Sequence, residues 1–233
     1  ANSGSPQAVQ KWPAIGINDI GKFLNLYNAP AEGSLHKAML SQLRDHTLNL
    51  CPACGEAGHP NTLDHYLPKK LYPHLCITPS NLFPMCDACQ EWKGIKTGNA
   101  NSPRFFIHPY FDVFVSRRVF ELTIYEPYSA PTFSLSPCQT LTAQQAELVA
   151  SHISELGINL RSTHFFSEQH RRTLRLVGGM RRSGQDILAN ITSFCDSYSE
   201  PSKNSWEHVY YSAVLSNPDL MDYLINSHLP QFL

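Results

Sequence analysis

Four of the seven cysteines fall in two Cys-x-x-Cys pairs, Cys51/Cys54 and Cys86/Cys89. That spacing lets a tight turn present two thiolates to one metal ion, and two such pairs complete the closed tetrahedral shell of a structural zinc. The odd total argues against a disulfide framework, leaving reduced thiols or a redox pair as the plainer alternatives to zinc. Between Cys54 and Cys86 lie 31 residues, more than in a simple zinc ribbon, so the intervening chain is expected to form an inserted structure under the metal's control. Cys76, Cys138 and Cys195 stand alone and read as small buried apolar residues.

The remaining chemistry is concentrated in and just after that insertion. One segment reads Thr62-Leu-Asp-His-Tyr-Leu-Pro68, and a second reads Ser80-Asn-Leu-Phe-Pro-Met-Cys-Asp-Ala-Cys-Gln-Glu-Trp-Lys-Gly94. Together they resemble the HNH (ββα-metal) endonuclease motif: paired Asp-His on a strand, Asn-Leu opening the next strand, and Cys-x-x-Cys-x-x-x-Lys running into a helix. The resemblance covers about 45 residues, zinc pairs included. With Lys69 and the downstream His108-Pro-Tyr-Phe-Asp112, the wider pattern is similar to the HNH subunit of two-component, Septu-type anti-phage systems.

The resemblance implies hydrolysis of nucleic-acid phosphodiester bonds, leaving 5′-phosphate and 3′-hydroxyl ends. That reaction requires a water stripped of its proton, and a neutral imidazole can do this near neutral pH, which makes His65 the candidate general base. Negative charge gathers on the phosphate and the departing oxygen, and a divalent ion, Mg²⁺ or Mn²⁺, would neutralise it. Asp64 is its expected first ligand. Asn81 is expected to fix the His65 ring or backbone, with plain strand capping as its other reading. The third motif position usually carries His or Asn as the second metal ligand, and here it is Gln90. Its amide oxygen can serve a hard cation, but the extra methylene moves that oxygen by roughly 1.5 Å. Glu91, His108 or Asp112 is a candidate to compensate, though an aromatic-rich turn explains the last two as well.

Lys69, Lys70, Lys93 and Lys96 flank the segment and are positioned in sequence to meet phosphates without reading bases. A denser basic group comprises Arg161, Arg171, Arg172, Arg175, Arg181 and Arg182. Of these, Arg171, Arg175 and Arg182 share a helical face opposed only by Glu168. It reads as a nucleic-acid track, a solvated face or a docking patch for an acidic partner. Trp12, Trp92 and Trp206 read as core or interface aromatics.

These groups must be carried by regular elements. A short helix is predicted over Asn18–Tyr27, and Ser34 caps a second whose apolar face carries Leu35, Met39, Leu43 and Leu50 up to the Cys51 turn. A strand over 62–67, an irregular loop over 68–79, a strand over 82–85 and a helix over 87–95 follow. Phe120, Leu122 and Ile124 alternate against Glu121, Thr123 and Tyr125 as a half-buried strand or hairpin does. Pro127–Pro137, with three prolines and several serines and threonines, is the linker candidate. Beyond it Thr142 and Gln145 form a capping box ahead of an apolar stripe of Leu148, Val149, His152, Ile153 and Leu156. Further helices are expected over 161–178, 184–197, 205–215 and 219–228.

The 233 residues suffice for one large or two small domains. A formal net charge of −1 supplies no global field toward nucleic acid, so local patches must bind it. No apolar run reaches membrane-spanning length and no signal pattern opens the chain, which points to a cytoplasmic protein. Ala1–Pro6 read as an expression remnant. The expected fold is α+β: residues 1–17 disordered, 18–126 a zinc-stapled ββα nuclease domain with N-terminal helices, and 139–233 a mostly helical lobe. That lobe carries no catalytic motif, and its Trp206–Tyr211 and Met221–Leu224 stretches hold residue types enriched at interfaces, with ordinary core packing as their other reading. The lobe thus needs a purpose, and the likeness to Septu-type systems implies a partner subunit, an ATPase that controls the nuclease. The alternative is a catalytically weak, zinc-stabilised nucleic-acid-binding or protein-interaction module.

Overall fold

A computed structural model describes residues 17–230, so Trp12 and nearly all of the expected disordered start lie outside the described residues. The chain is α+β and divides into two compact units, one ending at Val113 and one beginning at Phe114.

In the first unit, α1 (Ile17–Asn28) and α2 (Leu35–Arg44) precede the cysteine turn. Ser34 caps α2, its hydroxyl accepting from the Lys37 amide. The helix stops at Arg44, short of the expected Leu50, and Leu35 is exposed, so the buried face is narrower than the sequence suggested. Leu40 instead meets Leu63 and Leu82, with Tyr27, Met39 and Leu43 packed around them. Strand β1 (Thr62–His65) pairs antiparallel with β2 (Leu82–Met85), and α3 (Asp87–Lys93) follows directly. Because the Tyr66 amide donates to the Asn81 carbonyl, the hydrogen-bonded pairs are 66/81, 64/83 and 62/85. Pro84, which has no N–H to give, falls opposite Leu63 in a non-hydrogen-bonded pair, where β2 tolerates it. The long loop between the strands is not structureless: it makes two short 3₁₀ turns, Pro73–Leu75 and Pro79–Asn81.

The second unit begins with a hairpin of β3 (Phe120–Tyr125) and β4 (Thr132–Pro137). Phe120, Leu122 and Ile124 are buried as the alternation predicts. The expected linker is thus a strand. Its prolines sit at the turn and at the strand's last position, while Phe133 and Leu135 pair with Ile124 and Leu122. Helices α4 (Ala143–Glu155), α5 (Ile158–Arg182), α6 (Ile187–Ser197), α7 (Trp206–Leu215) and α8 (Pro218–Asn226) complete the unit. The Thr142/Gln145 capping box forms in both directions. Trp206, Val209, Tyr210, Tyr211, Met221 and Leu224 are buried within this unit, so of the two readings of these stretches, interface and core packing, core packing is the one present. Among the described residues no helix is long and apolar enough to cross a membrane.

Candidate metal centre and active site

The four paired cysteines converge. Cys51 and Cys54 lie on a turn closed by the Cys51 amide donating to the Glu56 carbonyl and the Gly55 amide donating to the Cys51 carbonyl. Gly55 takes φ of +80°, a conformation that side chains resist, and a single bridge between Leu50 and Ala57 seals the base. Cys86 is the N-cap of α3 and Cys89 lies in its first turn, so the exposed amides of the helix start favour thiolate there. All four sulfurs lie within 4.8 Å of one another. Sulfurs bound tetrahedrally at about 2.3 Å would sit about 3.8 Å apart, and Cys54 and Cys86 are separated by 3.9 Å. Mutual hydrogen bonding splits the thiols: it pulls Cys51 and Cys86 down and pushes Cys54 and Cys89 up. Four thiolates packed so closely repel one another, and one divalent cation relieves that repulsion. The cluster fits a metal ion, and its all-sulfur donor set is compatible with zinc. Cys76, Cys138 and Cys195 are all buried outside it.

Beside this centre, β1 and α3 bring Asp64, His65, Gln90 and Lys93 together. Asp64 and His65 are both buried at the end of β1. The His65 Nε2 lies 2.9 Å from the Cys76 carbonyl oxygen. A carbonyl can only accept, so Nε2 carries the proton and the lone pair is on Nδ1. Burial pushes the imidazole down to about 4, partly offset by the Cys76 hydrogen bond, so the ring is neutral at pH 7. The Tyr27 ring meets it edge-on at 4.5 Å, fixed by the Tyr27 hydroxyl donating to the Leu63 carbonyl. Neither Tyr27 nor the Cys76 carbonyl carried any sequence signal, since each reaches the site only through the tertiary fold.

Asn81 does not touch the His65 ring. Its Oδ1 accepts from the Leu67 amide at 2.7 Å, and its Nδ2 donates to the Leu67 and Leu75 carbonyls at 3.1 and 3.2 Å. It therefore holds the backbone on both sides of the loop, next to the Cys76 carbonyl that fixes His65. Its side chain bonds neither the ring nor the backbone of His65; it ties Leu67, just past the end of β1, to Leu75, so any hold on His65 is indirect.

On α3, the Gln90 Nε2 is 3.4 Å from Asp64 Oδ1. Lys93, three residues on, corrects an expectation: it is 1% exposed and cannot meet a phosphate as a surface lysine would. Its Nζ donates to the His65 carbonyl at 2.6 Å and lies 2.9 Å from Asp64 Oδ2. That second approach is off the axis of a hydrogen bond, so Oδ2 gains an ion pair but no directed donor. Burial depresses the Lys93 ammonium and Asp64 partly restores it. An under-coordinated buried carboxylate oxygen next to an amide whose O and N ends can exchange fits a hard cation.

The other candidates separate. Lys69 donates to Asn28 Oδ1 and lies 4.2 Å from the Tyr27 ring centre, while Lys70 is exposed and Lys96 half-buried. Glu91 and Trp92 face outward, which removes Trp92 from the core. His108 and Asp112 belong to a turn: the His108 amide donates to Asp112 Oδ2, the Tyr110 amide donates to His108 Nδ1, and Asp112 pairs with Arg104. The His108 ring also bonds the Ser80 backbone, so these residues brace the site rather than supply a ligand. In the second unit, Arg171, Arg172, Arg175 and Arg182 are exposed along α5, with Arg171 paired to Glu168. Arg161 donates to the Leu156 carbonyl, and Arg181 is committed to the carbonyls of Tyr223, Leu224 and Ser227 at the end of α8.

No protein-family description matches the chain. No solved structure matches it either. Among curated proteins it is 36% identical over 62 residues to Protein ea31 of Escherichia phage lambda, a stretch that makes up 27% of this chain. The chain spans about a fifth of that relative's length, 21%, and the likeness is confined to that stretch.

Proposed function

We propose that the first unit is a metal-dependent endonuclease of the HNH (ββα-metal) type, stapled by a zinc ion on Cys51, Cys54, Cys86 and Cys89. The observation that carries this reading is the convergence of a neutral, backbone-anchored His65 with Asp64 and Gln90 on a strand, strand and helix. With Nε2 donating to the Cys76 carbonyl, Nδ1 of His65 takes the proton of a water as its oxygen bonds to phosphorus. The bond from phosphorus to the 3′ oxygen breaks, that oxygen takes a proton from solvent, and 5′-phosphate and 3′-hydroxyl ends result. Burial makes the imidazolium costly, and the negative phosphodiester brought beside it offsets that cost. Asp64 and Gln90 would hold Mg²⁺ or Mn²⁺, which neutralises charge on the phosphate and the leaving oxygen. Lys69 and Lys70, on the loop after β1, and Lys96, just past α3, are the flanking lysines left to meet the strand's phosphates.

The test is incubation of the zinc-loaded chain with DNA and with RNA, in Mg²⁺, Mn²⁺ or chelator, against His65→Ala. Expected is metal-dependent cleavage reduced by roughly 10²-fold or more in the variant, with fold and zinc content retained. Equal cleavage by His65→Ala, or none by the wild type under any of these conditions, overturns the reading. The buried Lys93 ammonium beside Asp64 favours a second reading, a nucleic-acid-binding module without catalysis, which the no-cleavage outcome would leave standing.

A further inference from the structure

We propose that the Lys93 ammonium is the resident cation of the Asp64 site and competes there with divalent ions, so that Lys93 sets how readily the site loads. The proposal rests on reading this hairpin and helix as a metal-dependent site. A lysine on a short surface helix ordinarily lays its stem along apolar surface and keeps its charge in water. Lys93 does the opposite: at 1% exposure its ammonium is turned inward, while Glu91 and Trp92 on the same helix face out. It has two oxygen partners, Asp64 Oδ2 at 2.9 Å and the His65 carbonyl at 2.6 Å, with the Phe106 ring centre 5.8 Å away. The other Asp64 oxygen receives the Gln90 amide. A divalent ion on Asp64 therefore needs the oxygen that the ammonium already neutralises, and two cations within about 4 Å of each other in a buried site repel strongly.

One functional consequence follows. Lys93 holds Asp64 and the His65 backbone in place without an ion, and a divalent ion enters when a second anionic ligand compensates the added charge. A phosphodiester is such a ligand. Ion and substrate then bind cooperatively, each tightening the other by the same factor.

The experiment measures Mn²⁺ binding to the full zinc-loaded chain by the paramagnetic resonance signal of free Mn²⁺, with no substrate present. Lys93→Gln removes the charge and can still donate to the His65 carbonyl, and Lys93→Met is a second neutral variant of similar length. Both are expected to bind Mn²⁺ at least tenfold more tightly than the wild type. Lys93→Arg, which keeps the charge, stays at the wild-type level, and adding Asp64→Asn to Lys93→Gln abolishes the gain. Zinc content and circular dichroism establish folding, and either neutral variant suffices. Unchanged or weaker binding in the folded neutral variants, or equally tight binding by Lys93→Arg, overturns the proposal. So does failure of both neutral variants to fold, because the ammonium would then be a fixed structural strut rather than an exchangeable ion. Tighter Mn²⁺ binding alongside a wild type that cleaves nothing would retain the competition and remove the nuclease reading. Cleavage by the wild type with unaltered Mn²⁺ binding in the variants would do the reverse.

Discussion

Replacing Asn81 by alanine tests how the site holds His65. The Asn81 side chain is 6% exposed and bonds three backbone groups: the Leu67 amide, the Leu67 carbonyl and the Leu75 carbonyl. Alanine leaves all three without that partner, and an orphaned buried polar group costs about 1–3 kcal/mol. Water entering the vacated space would recover part of this, so the loss is about 3 kcal/mol rather than the full sum, roughly a hundredfold in an opening equilibrium. Because the chain has two units, a global unfolding midpoint would blur the effect, and amide hydrogen exchange at Leu67 reads it locally. Exchange there is expected to accelerate about a hundredfold, while the second unit stays as it was. On the proposed nuclease reading, cleavage should fall in parallel, since Leu75 immediately precedes the Cys76 carbonyl that anchors the imidazole. Asn81→Asp keeps the acceptor for the Leu67 amide but turns an oxygen toward two carbonyls, and should be at least as damaging. Leu67 exchange unchanged within a factor of about three in Asn81→Ala would show that the loop holds itself and that the role assigned to Asn81 is wrong.

Three further outcomes are expected. Cys86→Ser, or a strong chelator, should cost the first unit several kcal/mol or unfold it, and folded protein found by elemental analysis to hold no metal would refute this. Burial holds His108 at about 4 in the fold against 6.5 in the free side chain, so its contribution is intact above pH 6.5 and is lost as pH falls toward 4. That amounts to about 3 kcal/mol at most. Denaturant titrations from pH 7 to 4 should show a steeper decline for the wild type than for His108→Phe, and parallel curves would contradict it. Arg181→Met should lose about 2 kcal/mol from the second unit, read as faster amide exchange at the end of α8, because three carbonyls there lose their donor.

The sequence made some features legible because their signals are local. The Thr142/Gln145 box, the Ser34 cap and the 82–85 strand depend on neighbours within a few residues, and they stand where the pattern put them. The cysteine spacing likewise marked one convergent cluster. Strand β4 was hidden because its prolines and serines carry the composition of a linker, and only the register against β3 reveals Phe133 and Leu135 as paired residues. Lys93 illustrates a different limit. Its spacing of three from Gln90 placed both on one helix face, but whether that face meets water or β1 depends on packing that no local pattern encodes. The sequence left Trp206–Tyr211 between core and interface for the same reason: aromatic residues serve both, and burial decides between them.

The cysteine cluster also bears on chain entropy. Bringing Cys51 to Cys86 closes a loop of about 35 residues, which costs roughly 3 kcal/mol beyond a constant. Asp64, His65 and Asn81 lie inside that loop, and Gln90 and Lys93 follow within the next two turns of helix. Closing the ring therefore confines Asp64, His65 and Asn81 at once and anchors the start of the helix that carries Gln90 and Lys93, so that the strand pairing between Thr62 and Met85 begins from ends already held together. A metal ion on the four thiols would thus tie the assembly of the whole hairpin to metal supply and to the thiols' redox state, rather than to the strength of any single contact within it.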